Sequence, residues 1–187
     1  MKFFSSLLLC ALLLAAGPSP AADSDDDVYK EDAIRPYIDR MPTEDETPKE
    51  QKLVIPPWPQ EKNLVEIDIG RYGFNYRLLV DTASVSVGDD RIVRYTAVLR
   101  SKSGVDNVSF EGIRCPRYQF KRYAYGSDGK FYTVGASDWT RIHQTRQDIY
   151  RRLLADEYFC PLPSGDPAAV IVDKLKRSAR DVYPEQE

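Results

Sequence analysis

Cationic and aromatic side chains alternate through the middle of this chain, between residues 94 and 125. The guanidinium group of arginine binds phosphate and carboxylate groups, and aromatic rings stack on sugars, bases or cations. The pattern predicts a candidate surface for an anionic ligand, made of Arg94, Arg100, Arg114, Tyr118, Lys121, Arg122 and Tyr123. The alternative interpretation is a solvated sheet face on which the tyrosines pack across neighbouring strands.

Residues that would form a catalytic site are few. His143 is the sole histidine, and no partner for a dyad or triad can be named. Asp81-Thr82-Ala83-Ser84 is similar to the Asp-Thr-Gly/Ser turn of aspartic proteases, but those need two aspartates and no second copy occurs. We interpret Glu111, which lies in a strand beside Arg114, as a sheet-surface charge; the alternative is a general acid. No phosphate loop, dinucleotide fingerprint or zinc spacing occurs, so we expect no catalytic, cofactor-binding or metal-binding residues.

Cys115 and Cys160 are the two cysteines beyond the N-terminal leader, and each is followed by proline. In an exported chain they predict one internal disulfide, which would fasten a strand-rich middle to a helical C-terminal part. Two free thiols are the alternative. A redox role is disfavoured because there is no C-x-x-C motif. A metal site would need more ligands than two cysteines and one histidine offer.

The first 21 residues have the three parts of a secretory signal: Lys2, an apolar stretch over 3–16, and small residues for cleavage over 17–22. The chain has no other segment with the ~20 continuous apolar residues of a membrane helix, so we expect no transmembrane segment after cleavage. The alternatives are an uncleaved anchor and lipidation at Cys10. Lipidation is disfavoured because Leu9 stands where a small residue is needed. The sequence predicts a periplasmic protein, with association with the outer membrane left open.

Residues 22–63 form an acidic, proline-rich arm. Asp23 to Glu66 contain thirteen acidic and six basic residues, whereas the rest of the chain is mildly basic. Proline removes backbone donors and like charges repel, so we expect the arm to be largely disordered. One organised segment is indicated, Leu53-Val54-Ile55-Pro56-Pro57-Trp58-Pro59, which would dock on its own domain or on a partner.

From Leu64 onward, apolar and polar residues alternate over short stretches joined by turn sequences. Gly126-Ser127-Asp128-Gly129 predicts a β-hairpin. After residue 137 the apolar period becomes helical, starting at Trp139, and Asp166-Pro167 marks a second helix start. We therefore predict an α+β domain over 64–180 and a flexible tail over 181–187. Its antiparallel sheet would have five or six strands, one face exposed to water, and one or two C-terminal helices on the other face.

Three segments carry a family resemblance: Asn107 to Cys115, Tyr123 to Gly129, and Tyr158 to Pro161, with the elements EGIRC and FCP among them. Over roughly Ile67 to Arg177 the chain resembles the cryptic neisserial protein family, an uncharacterised domain of proteobacterial envelope proteins. The resemblance implies a periplasmic or outer-membrane setting and supplies no catalytic residues. Family members have been regarded as lipoproteins, and the sequence around Cys10 departs from that pattern.

These observations predict an exported bacterial envelope protein that is a non-enzymatic binding or structural module. Its partner would be an unidentified envelope component or protein. Nucleic acid is excluded because the chain is predicted to be exported and is acidic overall, with a net charge of −3. The alternative is a periplasmic hydrolase that uses carboxylates whose proximity the sequence does not reveal.

Overall fold

The computed structural model of the protein describes residues 48–70 and 74–182, with side chains as far as Ala179. The predicted leader, Cys10 and residues 22–47 of the predicted arm lie outside the described residues, and so does most of the predicted tail. The described residues all belong to one structural unit, Arg40–Glu187. No helix in this part of the chain is long and apolar enough to cross a membrane.

A single antiparallel sheet contains all the strands of the described residues. Its spatial order follows the chain from β1 to β6, and the short β7 pairs with the start of β5 beside β6. The strands are β1 (Leu64–Ile67), β2 (Tyr76–Val87), β3 (Ile92–Ser101), β4 (Asp106–Arg114), β5 (Gln119–Ser127), β6 (Lys130–Thr133) and β7 (Thr140–Arg141). The predicted α+β class is confirmed, with β7 added to the expected six strands.

The predicted hairpin joins β5 to β6 through a two-residue turn. Ser127 pairs with Lys130, and the two residues between them, Asp128 and Gly129, both have positive φ, 52° and 75°. Aspartate and glycine are the residues that adopt this left-handed conformation most readily, and the resulting turn matches the twist of the strands. The turn sequence therefore fixes the register of the hairpin.

Two helices follow the sheet. The first, α1 (Ile149–Leu153), widens into a π-helical turn over Leu154–Phe159. The second, α2 (Pro167–Val182), begins as predicted, with the Asp166 side chain accepting a hydrogen bond from the Ala169 amide at 3.1 Å.

The predicted start of the first helix near Trp139 is wrong. Thr140 and Arg141 instead pair with the edge of β5, and the Ile142 amide donates to the Tyr118 carbonyl at 3.0 Å. The edge of β5 thus provides backbone partners that local helical periodicity does not take into account. His143 consequently lies in an exposed loop and not on a helix.

The main core lies between the helices and one face of the sheet, which we call the helix face. Apolar side chains at alternate strand positions meet α1, its π-helical turn and α2; among them are Leu78, Val80, Val93, Tyr95, Ile113, Leu154, Phe159, Ile171 and Leu175. Cys115 and Cys160 form the predicted disulfide across this interface, with their Cα atoms 5.5 Å apart. The bridge fastens the end of β4 to the end of the π-helical turn.

The opposite face of the sheet, which the alternation predicts to be exposed to water, is partly covered by the chain itself. Residues 48–60, which we call the strap, cross this strap face, and Leu53, Ile55 and Trp58 pack against its apolar residues. The Trp58 ring fills a notch at Gly126, where an added Cβ would lie 2.6 Å from Trp58 Cζ3. The Leu53–Pro59 segment therefore docks on its own domain.

Candidate functional site

A cleft with a volume of about 650 Å³ opens on the helix face between β5 and the segment that leads into α1. We call it the β5–α1 cleft. Aromatic rings and cations dominate its lining: Phe74, Tyr76, Phe120, Arg122, Arg146, Tyr150 and Arg151. Clefts of this size with a few polar groups among apolar walls are typical of sites for small ligands.

Glu111 lies beneath the cleft and is fully buried, with 0% of its surface exposed. Arg151 donates to both carboxylate oxygens, from Nε at 2.7 Å and Nη2 at 2.6 Å. Arg122 Nε adds a bond at 3.2 Å, and the hydroxyls of Tyr150 and Tyr95 donate at 3.0 and 3.2 Å. The interpretation of Glu111 as a sheet-surface charge is therefore wrong.

The charge of Glu111 is stabilised by its neighbours. Burial acts to raise the pKa of Glu111, but Arg151 and then Arg122 outweigh it and hold the pKa below the ordinary value. Burial likewise raises the pKa of Tyr95 and of Tyr150, so both stay protonated donors. Glu111 is thus ionised at neutral pH with its oxygens already accepting hydrogen bonds, which suits it to orienting arginines and not to accepting a proton from a ligand.

Arg151 joins this network to the start of α1. Its Nη1 donates to Asp148 at 2.9 Å, and its guanidinium lies 3.9 Å from the ring centroid of Phe120 and 4.5 Å from that of Tyr150. Asp148 also accepts the His143 amide at 3.1 Å. The two carboxylates near the cleft, Glu111 and Asp148, therefore both bind Arg151.

Arg122 is the part of this network that reaches the cleft. Its side chain is 45% exposed and bonds Glu111 through Nε alone among the described residues, which leaves both terminal nitrogens available to a ligand. Arg146 also lines the cleft and is exposed, with no ion pair to a described residue. These two side chains are the cations best placed to meet an anion.

A second group of cations and rings lies on the strap face. Arg94 binds Asp90 through two nitrogens at 3.1 and 2.6 Å and lies 5.6 Å from the Tyr123 ring centroid. Arg114 stacks on Trp139, with its guanidinium 4.2 Å from the ring centroid. Lys121 and Tyr123 belong to this group too, which we call the strap-face cluster.

The comparisons with known proteins identify the family. A family model described as the CNP1-like family matches residues 43–176. The chain belongs to the CNP1-like family. It is similar to Cryptic neisserial protein 1 of Neisseria gonorrhoeae (strain ATCC 700825 / FA 1090), at 28% identity over 155 residues, which cover 73% of this chain and 75% of that protein. No solved structure matches the chain significantly.

The CNP1-like domain divides the predicted anionic-ligand surface between several places. Arg94, Arg114, Lys121 and Tyr123 meet on the strap face, whereas Arg122 lies on the helix face. Two other predicted residues lie apart: Arg100 pairs with Glu61 and Asp106, and the Tyr118 hydroxyl donates to Asp156. Alternation along β5 accounts for part of this division, because Lys121 and Arg122 are adjacent in sequence and lie on opposite faces.

The sequence does not indicate that several residues of the β5–α1 cleft belong to a site, including Phe74, Tyr76 and Arg146. Arg151 is indicated by its position, because it falls at helical spacing with the buried Leu154 and Ala155. A buried arginine needs an acidic partner, so a carboxylate is expected beside it. No cluster of His, Cys, Asp or Glu within residues 48–70 and 74–182 has the arrangement of a metal site.

Proposed function

We propose that this CNP1-like protein is exported to the bacterial envelope and binds an anionic component there without catalysing a reaction. The observation that carries the proposal is the β5–α1 cleft, in which Arg122 is fixed by a buried carboxylate and still offers two nitrogens. Export is supported by the signal-like pattern of residues 1–21. The periplasm is the proposed location.

The lining of the cleft indicates the class of ligand. Arginine nitrogens bind phosphate or carboxylate oxygens, and the rings of Phe74, Tyr76 and Tyr150 provide apolar and stacking surface beside them. A ligand that joins an anionic group to an apolar or ring-bearing part would use both. A phosphate-bearing amphiphile of the envelope, whether phospholipid or lipopolysaccharide, has this chemistry.

A hydrolase that uses paired carboxylates finds less support. Glu111 and Asp148 are the acids nearest the cleft, and both are bound to Arg151. A general acid needs a raised pKa or a free proton path, whereas Glu111 is held ionised beneath the arginines. The arrangement favours positioning of cations over proton transfer.

Paired variants on the two faces test the proposed site. Arg122→Gln with Arg146→Gln removes two cations from the cleft, and Arg114→Gln with Lys121→Gln removes two from the strap face. Binding is measured by co-sedimentation with phosphatidylcholine vesicles, with and without phosphatidylglycerol, and with purified lipopolysaccharide. We expect the cleft pair to weaken binding by about tenfold or more, since each lost charged hydrogen bond is worth about 1.5–3 kcal/mol.

The strap-face pair is the matched control, because it also removes two positive charges from the protein. It is expected to bind within about twofold of the unaltered protein, because salt screens the long-range effect of the lost charges on affinity. The lipid and lipopolysaccharide arms identify the source of the phosphate. Equal binding by the cleft pair and the unaltered protein, with both variants folded by circular dichroism, would overturn the proposed site.

The location needs a separate experiment. Cells that express the full chain are fractionated, and the mass of the protein in each fraction is measured. We expect a periplasmic or outer-membrane product that lacks residues 1–21. Full-length protein in the cytoplasmic fraction would contradict export without affecting the binding measurement.

A further inference from the structure

The strap places a carboxylate in a polar pocket of the strap-face cluster. The pocket has a volume of about 330 Å³ and is lined by Glu50, Leu53, Lys121, Arg122, Tyr123 and the loop over 133–138, which includes Asp138. Lys121 Nζ donates to Glu50 Oε2 at 3.0 Å. Burial acts to raise the pKa of Glu50, but Lys121, Tyr123 and Trp139 outweigh it and lower the pKa. Three side chains thus favour a carboxylate at this point.

The pocket is held in shape without Glu50. Lys121 Nζ lies 5.6 Å from the Tyr123 ring centroid and 5.9 Å from that of Trp139. Arg94 and Arg114 stack on the same two rings. Gly112 lets the Tyr123 ring lie against β4, since an added Cβ there would be 2.8 Å from Tyr123 Cε2. The binding groups are therefore fixed by packing between strands, which is the condition for preorganised recognition.

The Tyr123 hydroxyl is buried beside the Glu50 carboxylate. Tyr123 is 4% exposed, and its hydroxyl lies within hydrogen-bonding range of Glu50, although outside strict hydrogen-bond geometry. Buried hydroxyls nearly always have a partner, and a carboxylate at this position is the acceptor near this one.

The residue after Glu50 is recognised through its backbone. The Gln51 amide donates to Asp90 Oδ2 at 2.8 Å, and the Gln51 side chain donates to Asp89 at 3.0 Å. Asp90 is itself fixed by Arg94. The pocket therefore binds an acidic side chain, and Asp90 binds the peptide N–H of the next residue.

This end of the strap is held by polar contacts, the Glu50–Lys121 ion pair and the two hydrogen bonds of Gln51. Residues 48–52 have no strand pairing, and both Lys49 and Gln51 are exposed. The Trp58 end, in contrast, is packed into the notch at Gly126. Partly exposed ion pairs contribute less to stability than buried apolar packing, so residues 48–52 are held less strongly than the Trp58 end.

We propose that Lys121, Tyr123, Trp139 and Asp90 form a receptor for an acidic residue in an extended peptide, and that Glu50 occupies it in cis. A partner protein's acidic segment binds there when residues 48–52 lift away. This site lies on the face of the sheet opposite the β5–α1 cleft, so it does not depend on the function proposed for that cleft. A tethered occupant has an effective concentration of the order of millimolar, which sets the competition that a partner must overcome.

A synthetic peptide tests the receptor. The probe is fluorescein-labelled Pro-Lys-Glu-Gln-Lys-Leu-Val-Ile, the sequence of residues 48–55, and its binding is followed by fluorescence anisotropy with the full chain. Glu50→Ala empties the site and is expected to bind the peptide at least about tenfold more tightly than the unaltered protein. Glu50→Gln is a second variant that preserves the size of the side chain, and Glu66→Ala is a control acid on another part of the sheet.

Three results support the proposal together: tighter binding to Glu50→Ala, loss of that binding when Lys121→Gln is added, and loss when glutamine replaces glutamate in the peptide. Equal binding by Glu50→Ala and the unaltered protein would overturn it. Equal affinity for the peptide with glutamate and the peptide with glutamine would also overturn it. Competition by inorganic phosphate as effective as that by unlabelled peptide would mean a small-anion site and would also overturn the peptide receptor.

Discussion

Glu111 shows why a fully buried charge is tolerated on the helix face. Removing a carboxylate from water costs several kcal/mol, and only close cations and donors offset that cost. Glu111 has two arginines and two tyrosine hydroxyls around it. Well-packed apolar residues in place of the whole group, Glu111 together with its arginines, would often stabilise a fold about as well. The consequence specific to the charge is the position of Arg122, which it holds at the floor of the cleft.

Replacing Glu111 by glutamine tests this network at the level of one residue. The substitution leaves Arg151 buried with Asp148 as its one remaining counter-charge, so we expect the free energy of unfolding to fall by about 3–5 kcal/mol. Urea unfolding followed by fluorescence measures it. Glu66→Gln is the control, because Glu66 pairs with the exposed Arg77 and such pairs contribute about 1 kcal/mol or less. Equal losses from the two variants would refute the central role of Glu111.

The sequence could not reveal the surroundings of Glu111. Strand alternation places Glu111 on the same face as Ile113, but it does not say how far the helices cover that face. The deciding partner, Arg151, is 40 residues away along the chain. Long-range charge pairing of this kind leaves no local pattern, whereas the alternation itself correctly predicted the strand.

Among the elements, the strap depends on a glycine in β5. Gly126→Ala would place a Cβ 2.6 Å from Trp58 and 2.8 Å from the Val108 side chain. Since contacts this short force the neighbouring atoms to shift, we expect a loss of about 1–3 kcal/mol in unfolding free energy. Gly135→Ala is the matched control, because no atom lies within 4 Å of its added Cβ. Its effect should stay within about 1 kcal/mol of zero. Equal stability of the two variants would contradict tight docking of Trp58.

The disulfide joins two elements that are far apart in the sequence. The bridge closes a loop with a sequence separation of 45, for which chain entropy gives an upper figure of about 4 kcal/mol. We expect the double variant Cys115→Ser with Cys160→Ser to lose up to that amount in unfolding free energy. Chemical reduction of the unaltered protein should lower stability similarly. An unchanged urea midpoint after complete reduction would argue against this contribution.

Sequence predicted some elements better than others for identifiable reasons. The β5–β6 hairpin and the start of α2 follow local rules, a left-handed Asp128-Gly129 turn and the Asp166 cap, and both are confirmed. The region from Trp139 to Ile142 follows the edge of β5 instead, so its helical period misled the prediction. The strap has no strand pairing or helix, and its docking depends on a notch that composition cannot show.

In the whole molecule, the sheet separates two sites of different character. The helix face holds a cleft above a network fixed by Glu111, and the strap face holds cations stacked on Tyr123 and Trp139. Strand β5 contributes side chains to both sites, since Lys121 and Arg122 are adjacent in sequence and lie on opposite faces. One cationic stretch of sequence therefore serves two surfaces, which is why charge-removing variants must be designed face by face.

The pH dependence of stability is the property in which both faces act together. Against the effect of burial, cationic neighbours lower the pKa values of Glu111, Asp90 and Glu50 below their ordinary 4.5, 3.8 and 4.5. Each ionised group therefore stabilises the fold above its ordinary pKa, and that stability is lost as the pH falls below it. Burial raises the pKa of Tyr95 and Tyr150 above 10.0, so their contribution is lost as the pH rises above 10.

We accordingly expect the urea midpoint to be flat between about pH 5 and 9 and to fall on both sides. Asp81 opposes the acid loss, because burial raises its pKa. Glu111→Gln should make the acid decline shallower, and Tyr95→Phe should do the same for the alkaline decline, since each removes one group whose ionisation is linked to folding. Midpoints measured from pH 3 to 11 on the three proteins separate these contributions. An acid decline that is as steep in Glu111→Gln as in the unaltered protein would show that Glu111 is not ionised by its arginines in the folded state, and the positioning of Arg122 in the cleft would then need another cause.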